Sequence, residues 1–280
     1  MRRRRLWTAA ALCLASAAIL CAAPAQYLGR QQDDLFFIIA SQALSHGDYR
    51  LFITPGAPPL TMVIPGFPIV LLPVTWLCGE RYGAYQAFCA IIMAGLPWLF
   101  WRWLRRRCDE TDSLLMALLF ATSPIVLSQA GAVMSECVYT ALTFLLLAAL
   151  EIRSGPMTGS LLMALTLIRP AGVSLWPAAW AGASREGRWR DLLWAVALPL
   201  AGISLWSLWS YAVSGAVQEA QELGISYHGF LGSHLLHVAW DNAVFFLNSW
   251  GGSFLPVSWS AWASLPGAIL ASLSALGAWR

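Results

Sequence analysis

Apolar residues fall into long runs separated by short polar or arginine-rich stretches. The runs are 6–25, 60–78, 83–101, 113–133, 136–150, 157–184 and 192–213, followed by an almost uncharged section at 242–279. Several reach the ~20 residues that a helix needs to cross a bilayer. The pattern predicts an all-α, polytopic transmembrane helical bundle of about eight spans, formed as a single module over 1–280. No repeat, low-complexity segment or soluble domain is visible.

Two runs depart from a simple helix. Leu60 to Pro73 holds Pro65, Pro68 and Pro73 together with Gly66. Proline removes a backbone donor and breaks a helix interior, so 60–78 reads as a re-entrant or interfacial segment. The run 157–184 would be ~40 Å long as one helix, and Arg169-Pro170 interrupts it. Two short helices meeting at Arg169-Pro170 are expected instead. Residues 113–133 and 136–150 are expected as an out-and-back pair turning at Met134-Ser135-Glu136. Ser214 to Asp241 reads as an outer loop with a surface helix at Gln218–Glu222, and 262–279 as a final span.

Composition supports the membrane reading. The chain is 59% hydrophobic and 11% charged, against about 25% charged for a soluble domain. Tryptophan is abundant, at 16 residues, and gathers near run ends, as in an interfacial aromatic belt. All 17 basic residues are arginine. They sit in short clusters beside apolar runs, so the net charge of +3 does not argue for nucleic acid. The six cysteines show no Cys-x-x-Cys spacing and read as free thiols. The basic start and Ala-rich end of 1–25 would also suit a signal peptide, but the further runs favour an uncleaved first helix.

Cytoplasmic loops carry the excess of arginine. Arg2–Arg5, Arg102 with Arg105–Arg107, Arg153, and Arg185 with Arg188 and Arg190 should therefore share the inner side. Only an even number of crossings between clusters allows this. The interfacial reading of 60–78 and the break at Arg169-Pro170 both restore that parity. The chain is thus expected to be a multi-pass protein of the cell (inner) membrane, N-terminus cytoplasmic, with loop 26–58 and the 134–136 and 169–170 turns outside.

The acidic pair Asp33-Asp34 opens a stretch with Leu35, Phe36, Ile38, Ile39, Ala43 and Leu44 at helical spacing, and Gly47 closes it. Asp33 is open to two readings. It caps the free amides of a helix lying on the membrane, or it is a general base at the bilayer edge. A neighbouring acid can tune its pKa or help bind a divalent cation. His234-Leu-Leu-His237, with His228 and Asp241 nearby, has the i, i+3 spacing of metal ligands, although interfacial histidines beside aromatics are commoner.

The stretch Asp33-Asp-Leu-Phe-Phe37, Ala40, Leu44 and Gly47-Asp-Tyr49 resembles the first outer loop of GT-C superfamily membrane glycosyltransferases, of the protein O-mannosyltransferase and aminoarabinose-transferase-like type (glycosyltransferase family 39). Phe37 stands where that family usually has tyrosine. Pro58-Pro-Leu60 through Pro68 resembles its Pro-rich juxtamembrane segment, Ser135-Glu136 its Ser-Glu pair, and Leu165-Thr-Leu-Ile-Arg-Pro170 its Leu-x-x-Arg-Pro. The resemblance covers residues 5–215. Residues 216–280 match none of its motifs, as a truncated C-terminus would.

What the resemblance implies is a polyprenyl-phosphate sugar donor and an acceptor hydroxyl on a glycan, lipid or protein, joined with inversion at the outer face. Asp33 would be the base and Asp34 its supporting neighbour. Glu136 would assist the acidic site, or it is a helix N-terminal acid favoured by the dipole. Arg169 would hold the donor phosphate, or it snorkels to headgroups. A transporter or flippase is the rival class and would want charges in mid-span; here the acids gather at one face. A non-catalytic relative is a third reading.

Overall fold

A computed structural model describes residues 2–23, 32–185 and 188–231. It divides into two units, one of Met1–Thr122 with Val126–Val213 and the other of Ser123–Ile125 with Ser214–Arg280. The first unit holds the features that follow. The expected final span at 262–279 and the His234/His237/Asp241 group lie outside the described residues.

The regular elements among the described residues are helices, joined by turns and loops, with a single antiparallel bridge between Arg50 and Pro59. The helices are α1 (Arg2–Ala22), α2 (Gln32–Ser45), α3 (Gly66–Cys78), α4 (Tyr82–Leu104), α5 (Glu110–Ala121), α6 (Pro124–Gln129), α7 (Glu136–Glu151), α8 (Gly155–Ile168), α9 (Trp176–Arg185) and α10 (Trp189–Leu231). A 3-10 turn over Pro170–Leu175 joins α8 to α9.

Two of these helices are long and apolar enough to cross a membrane, Tyr82–Leu104 and the Trp189–Val213 part of α10. Leu6–Ala22, Gly66–Cys78 and Gly155–Ile168 are shorter apolar helices. At 13 residues, α3 is only ~20 Å long, less than the ~30 Å hydrocarbon core. Leu77, Leu205 and Leu208 stand out from the helices, each more than 60% exposed. Apolar surface on this scale marks contact with lipid or another apolar partner.

Each interruption has a local cause. The expected single span over 113–133 is broken after Ala121, because Pro124 lacks an N–H and disfavours helix in the residue before it. Pro170 acts in the same way on Arg169, whose backbone is extended at φ −146°, ψ 137°. Gly47, at φ +74°, ends α2 in the left-handed region that glycine tolerates best. The outer loop expected from Ser214 is helix instead as far as Leu231; its Gln and Glu residues are good helix formers.

Three apolar clusters hold the first unit together. The largest joins α1, α2, α3, α4 and α7 through Ile19, Ile38, Phe67, Leu71, Tyr85 and Val138. The second sits among α7, α8, α9 and α10, around Leu162, Leu165 and Trp176. The third packs Ala40, Ala43, Tyr49 and Leu60 against Trp206 and Trp209 of α10. Some polar groups inside the bundle tie its helices together. Ser16 donates to the Ala94 carbonyl at 2.7 Å and accepts from the Trp98 indole at 3.2 Å, tying α1 to α4. Ser41 of α2 meets Thr75 of α3 at 2.6 Å.

Candidate functional site

Asp33 lies inside the first turn of α2 rather than capping it. Its exposed side chain lines a cavity of about 330 Å³. Phe36 and Phe37 continue the α2 wall, and Met62 to Ile64 close a second side. Met134 and Ser135, just before α7, make a third, and Ile168, Arg169 and Pro170 a fourth. Phe37 is braced edge-on by Phe67, with ring centroids 4.9 Å apart. The volume is within the range of small-molecule sites, ~300–1,000 Å³.

The proline at 170 places Arg169. α8 must stop at Ile168, and the extended backbone of Arg169 leaves the path of that helix. The Arg169 N–H still donates to the Leu165 carbonyl at 3.0 Å, while the Arg169 carbonyl accepts from Gly172 at 2.9 Å. Its guanidinium Nη1 meets Glu136 Oε1 at 2.5 Å, with both side chains about one-third exposed. Glu136 Oε2 is buried and accepts no hydrogen bond.

Asp33, Ser135, Glu136 and Arg169, drawn from three separate stretches, thus meet around one cavity and its ion pair. Asp34 does not join them. It is fully buried, accepting the Leu35 N–H at 2.7 Å on Oδ1 and the Tyr82 hydroxyl at 3.0 Å on Oδ2. This neighbour of Asp33 fastens α2 to the start of α4. Tyr82 is a residue that sequence reasoning missed; a lone tyrosine at a run boundary carries no visible link to an acid 48 positions earlier.

A second cavity of about 640 Å³ lies behind the first. Pro65 and Leu167 line it, while the adjacent Ile64 and Ile168 line the smaller one. The wall between them is therefore the 63–66 strip laid against the end of α8. Gly66 makes this possible, since a Cβ there would sit 2.3 Å from the Leu167 carbonyl oxygen. The Tyr49 hydroxyl supports the strip by donating to the Val63 carbonyl at 2.8 Å. Burial pushes the Tyr49 phenol above its ordinary value, which keeps it a neutral donor.

Among the described residues, no three His, Cys, Asp or Glu side chains gather into a metal-binding set. Compared with protein-family models, curated proteins and solved structures, the chain matches none.

Proposed function

We propose that this chain is a multi-pass membrane glycosyltransferase of GT-C type. It would transfer a sugar from a polyprenyl-phosphate donor to an acceptor hydroxyl at the outer face of the cell (inner) membrane. The observation that carries the reading is the placing of Asp33 and Arg169 on one cavity. About eight spans, with the N-terminus inside, would complete the bundle around it.

In this mechanism Asp33 takes the proton from the acceptor hydroxyl as its oxygen attacks the anomeric carbon. The bond from that carbon to the phosphate oxygen breaks with inversion, and the lipid phosphate leaves with the electron pair. A guanidinium has five N–H donors. Arg169 can therefore keep Glu136 on Nη1 and present others to the phosphate, where charge-assisted bonds stabilise the growing charge. Glu136, through Oε1, holds the Arg169 guanidinium in place beside the cavity. Asp34 takes no part in proton transfer and holds the helix that carries Asp33.

The test is consumption of a panel of labelled polyprenyl-phosphate sugars by membranes containing the protein, beside Asp33→Asn. One sugar should turn over, and the variant should lose ~10²–10⁴-fold in rate, the usual worth of a positioned base. Equal turnover in both would remove Asp33 from the chemistry. No turnover of any sugar by the parent would overturn the enzyme reading in favour of a transporter or a non-catalytic protein.

A further inference from the structure

The larger cavity takes no part in the proposed chemistry. It is walled off from Asp33 by the 63–66 strip and is lined mainly by apolar side chains. It runs along α10 from Gly202 to Val213, a rise of ~16 Å. That is about half of a ~30 Å hydrocarbon core, the depth of one leaflet. Ile69 of α3 and Met163 of α8 form the facing walls. On α10, Trp206 and Trp209 stack with ring centroids 4.9 Å apart, and Tyr49 abuts both rings. A slot of this depth, on a helix apolar enough to cross the membrane, suits a single hydrocarbon chain.

The mouth of the slot is charged. Asp48 and Arg50 line it, bonded Oδ1 to Nε at 3.0 Å, with about half of each side chain exposed. The rim has a fixed register. Leu51 donates to the Pro58 carbonyl at 2.8 Å, Leu60 donates to the Tyr49 carbonyl at 3.0 Å, and Arg50 pairs with Pro59. One carboxylate and one guanidinium sum to zero charge, so the rim offers no net attraction for an anionic headgroup. It does match a headgroup bearing both signs. The guanidinium suits a phosphate, and the carboxylate suits a cation that can donate N–H bonds. A primary ammonium donates such bonds; a quaternary one has none to give. The Asp48–Arg50 bond is an exposed ion pair of small worth, so it can open for such a guest.

We infer that this cavity binds one chain of a phosphatidylethanolamine-type phospholipid from the surrounding leaflet, with its phosphate on Arg50 and its ammonium on Asp48. The lipid is distinct from any substrate at Asp33, and the inference does not depend on the glycosyltransferase reading.

The full chain would be reconstituted in nanodiscs with trace phosphatidylethanolamine, phosphatidylcholine or phosphatidylglycerol carrying a photoreactive acyl chain, and cross-links mapped by mass spectrometry. The ethanolamine lipid should label 163–167 and 202–213 about tenfold more than the other two, the worth of one charge-assisted hydrogen bond. Asp48→Asn should bring its labelling down to the phosphatidylcholine level. This rim residue is exposed, so folding, checked by gel filtration, should be unchanged. Equal labelling by all three lipids, no effect of Asp48→Asn, or no cross-link in these segments would each overturn the inference.

Discussion

At the scale of single residues, two adjacent carboxylates have opposite surroundings. Asp33 faces a cavity, and Asp34 is closed in by Tyr82 and the Leu35 amide. Successive helical positions are turned by about 100°, which is enough to separate solvent from core. Removing one partner of a buried hydrogen bond strands the other. Asp34→Ala should therefore lower stability by ~1–3 kcal/mol, seen as a lower unfolding midpoint in detergent, while Asp33→Asn should leave the midpoint unchanged. An equal drop in both variants would mean that the pair works as one unit. The sequence exposed the pair and its helix; it did not say which carboxylate pointed where, because nothing local marked Tyr82 as a partner.

At the scale of elements, the breaks were legible and the joins were not. Pro170 announces the end of α8, and Gly47 the end of α2, because each acts through its own backbone. The close approach of Gly66 to Leu167 joins residues a hundred positions apart, and no local rule reveals it. Gly66→Ala should force the 63–66 strip off α8 and cost ~1–3 kcal/mol, as overpacking commonly does. Thermal unfolding would read this out, and a neutral effect would show that the strip has slack.

Glu151, at the end of α7, gives a pH-dependent case. Burial raises its carboxyl pKa, but hydrogen bonds and charge from Arg106, at 2.7 Å, and from Arg107 outweigh this and hold it below the usual range. A folded value below the unfolded one adds stability above the unfolded pKa of ~4.3. That stability is lost as pH falls through the lowered folded value. Glu151→Gln should thus unfold at a lower temperature than the parent near neutral pH. The gap should close on acidification below about pH 4; a constant gap would sink the linkage.

At the scale of the whole molecule, the helical class follows directly from run length and composition, and the two helices long enough to cross a membrane were both anticipated as spans. Arginine parity set loop 26–58 and the 134–136 and 169–170 turns on one side; that 33, 62–64, 135 and 169 line one cavity is a tertiary fact which parity does not reach. The full span count is harder to read, because several apolar helices are short and proline divides others. A cysteine scan tests the topology. In a Cys-free background, single cysteines at 50 and 134 should react with an impermeant thiol reagent from outside, and one at 105 should not. The reverse pattern would invert the molecule.

The 63–66 strip belongs to both cavities at once, and this has a thermodynamic consequence. A guest that shifts the strip from one side changes the free energy of binding on the other, and the effect is mutual to the same factor. The affinity of the small cavity for its ligand would then vary with membrane composition, with no contact between the two guests.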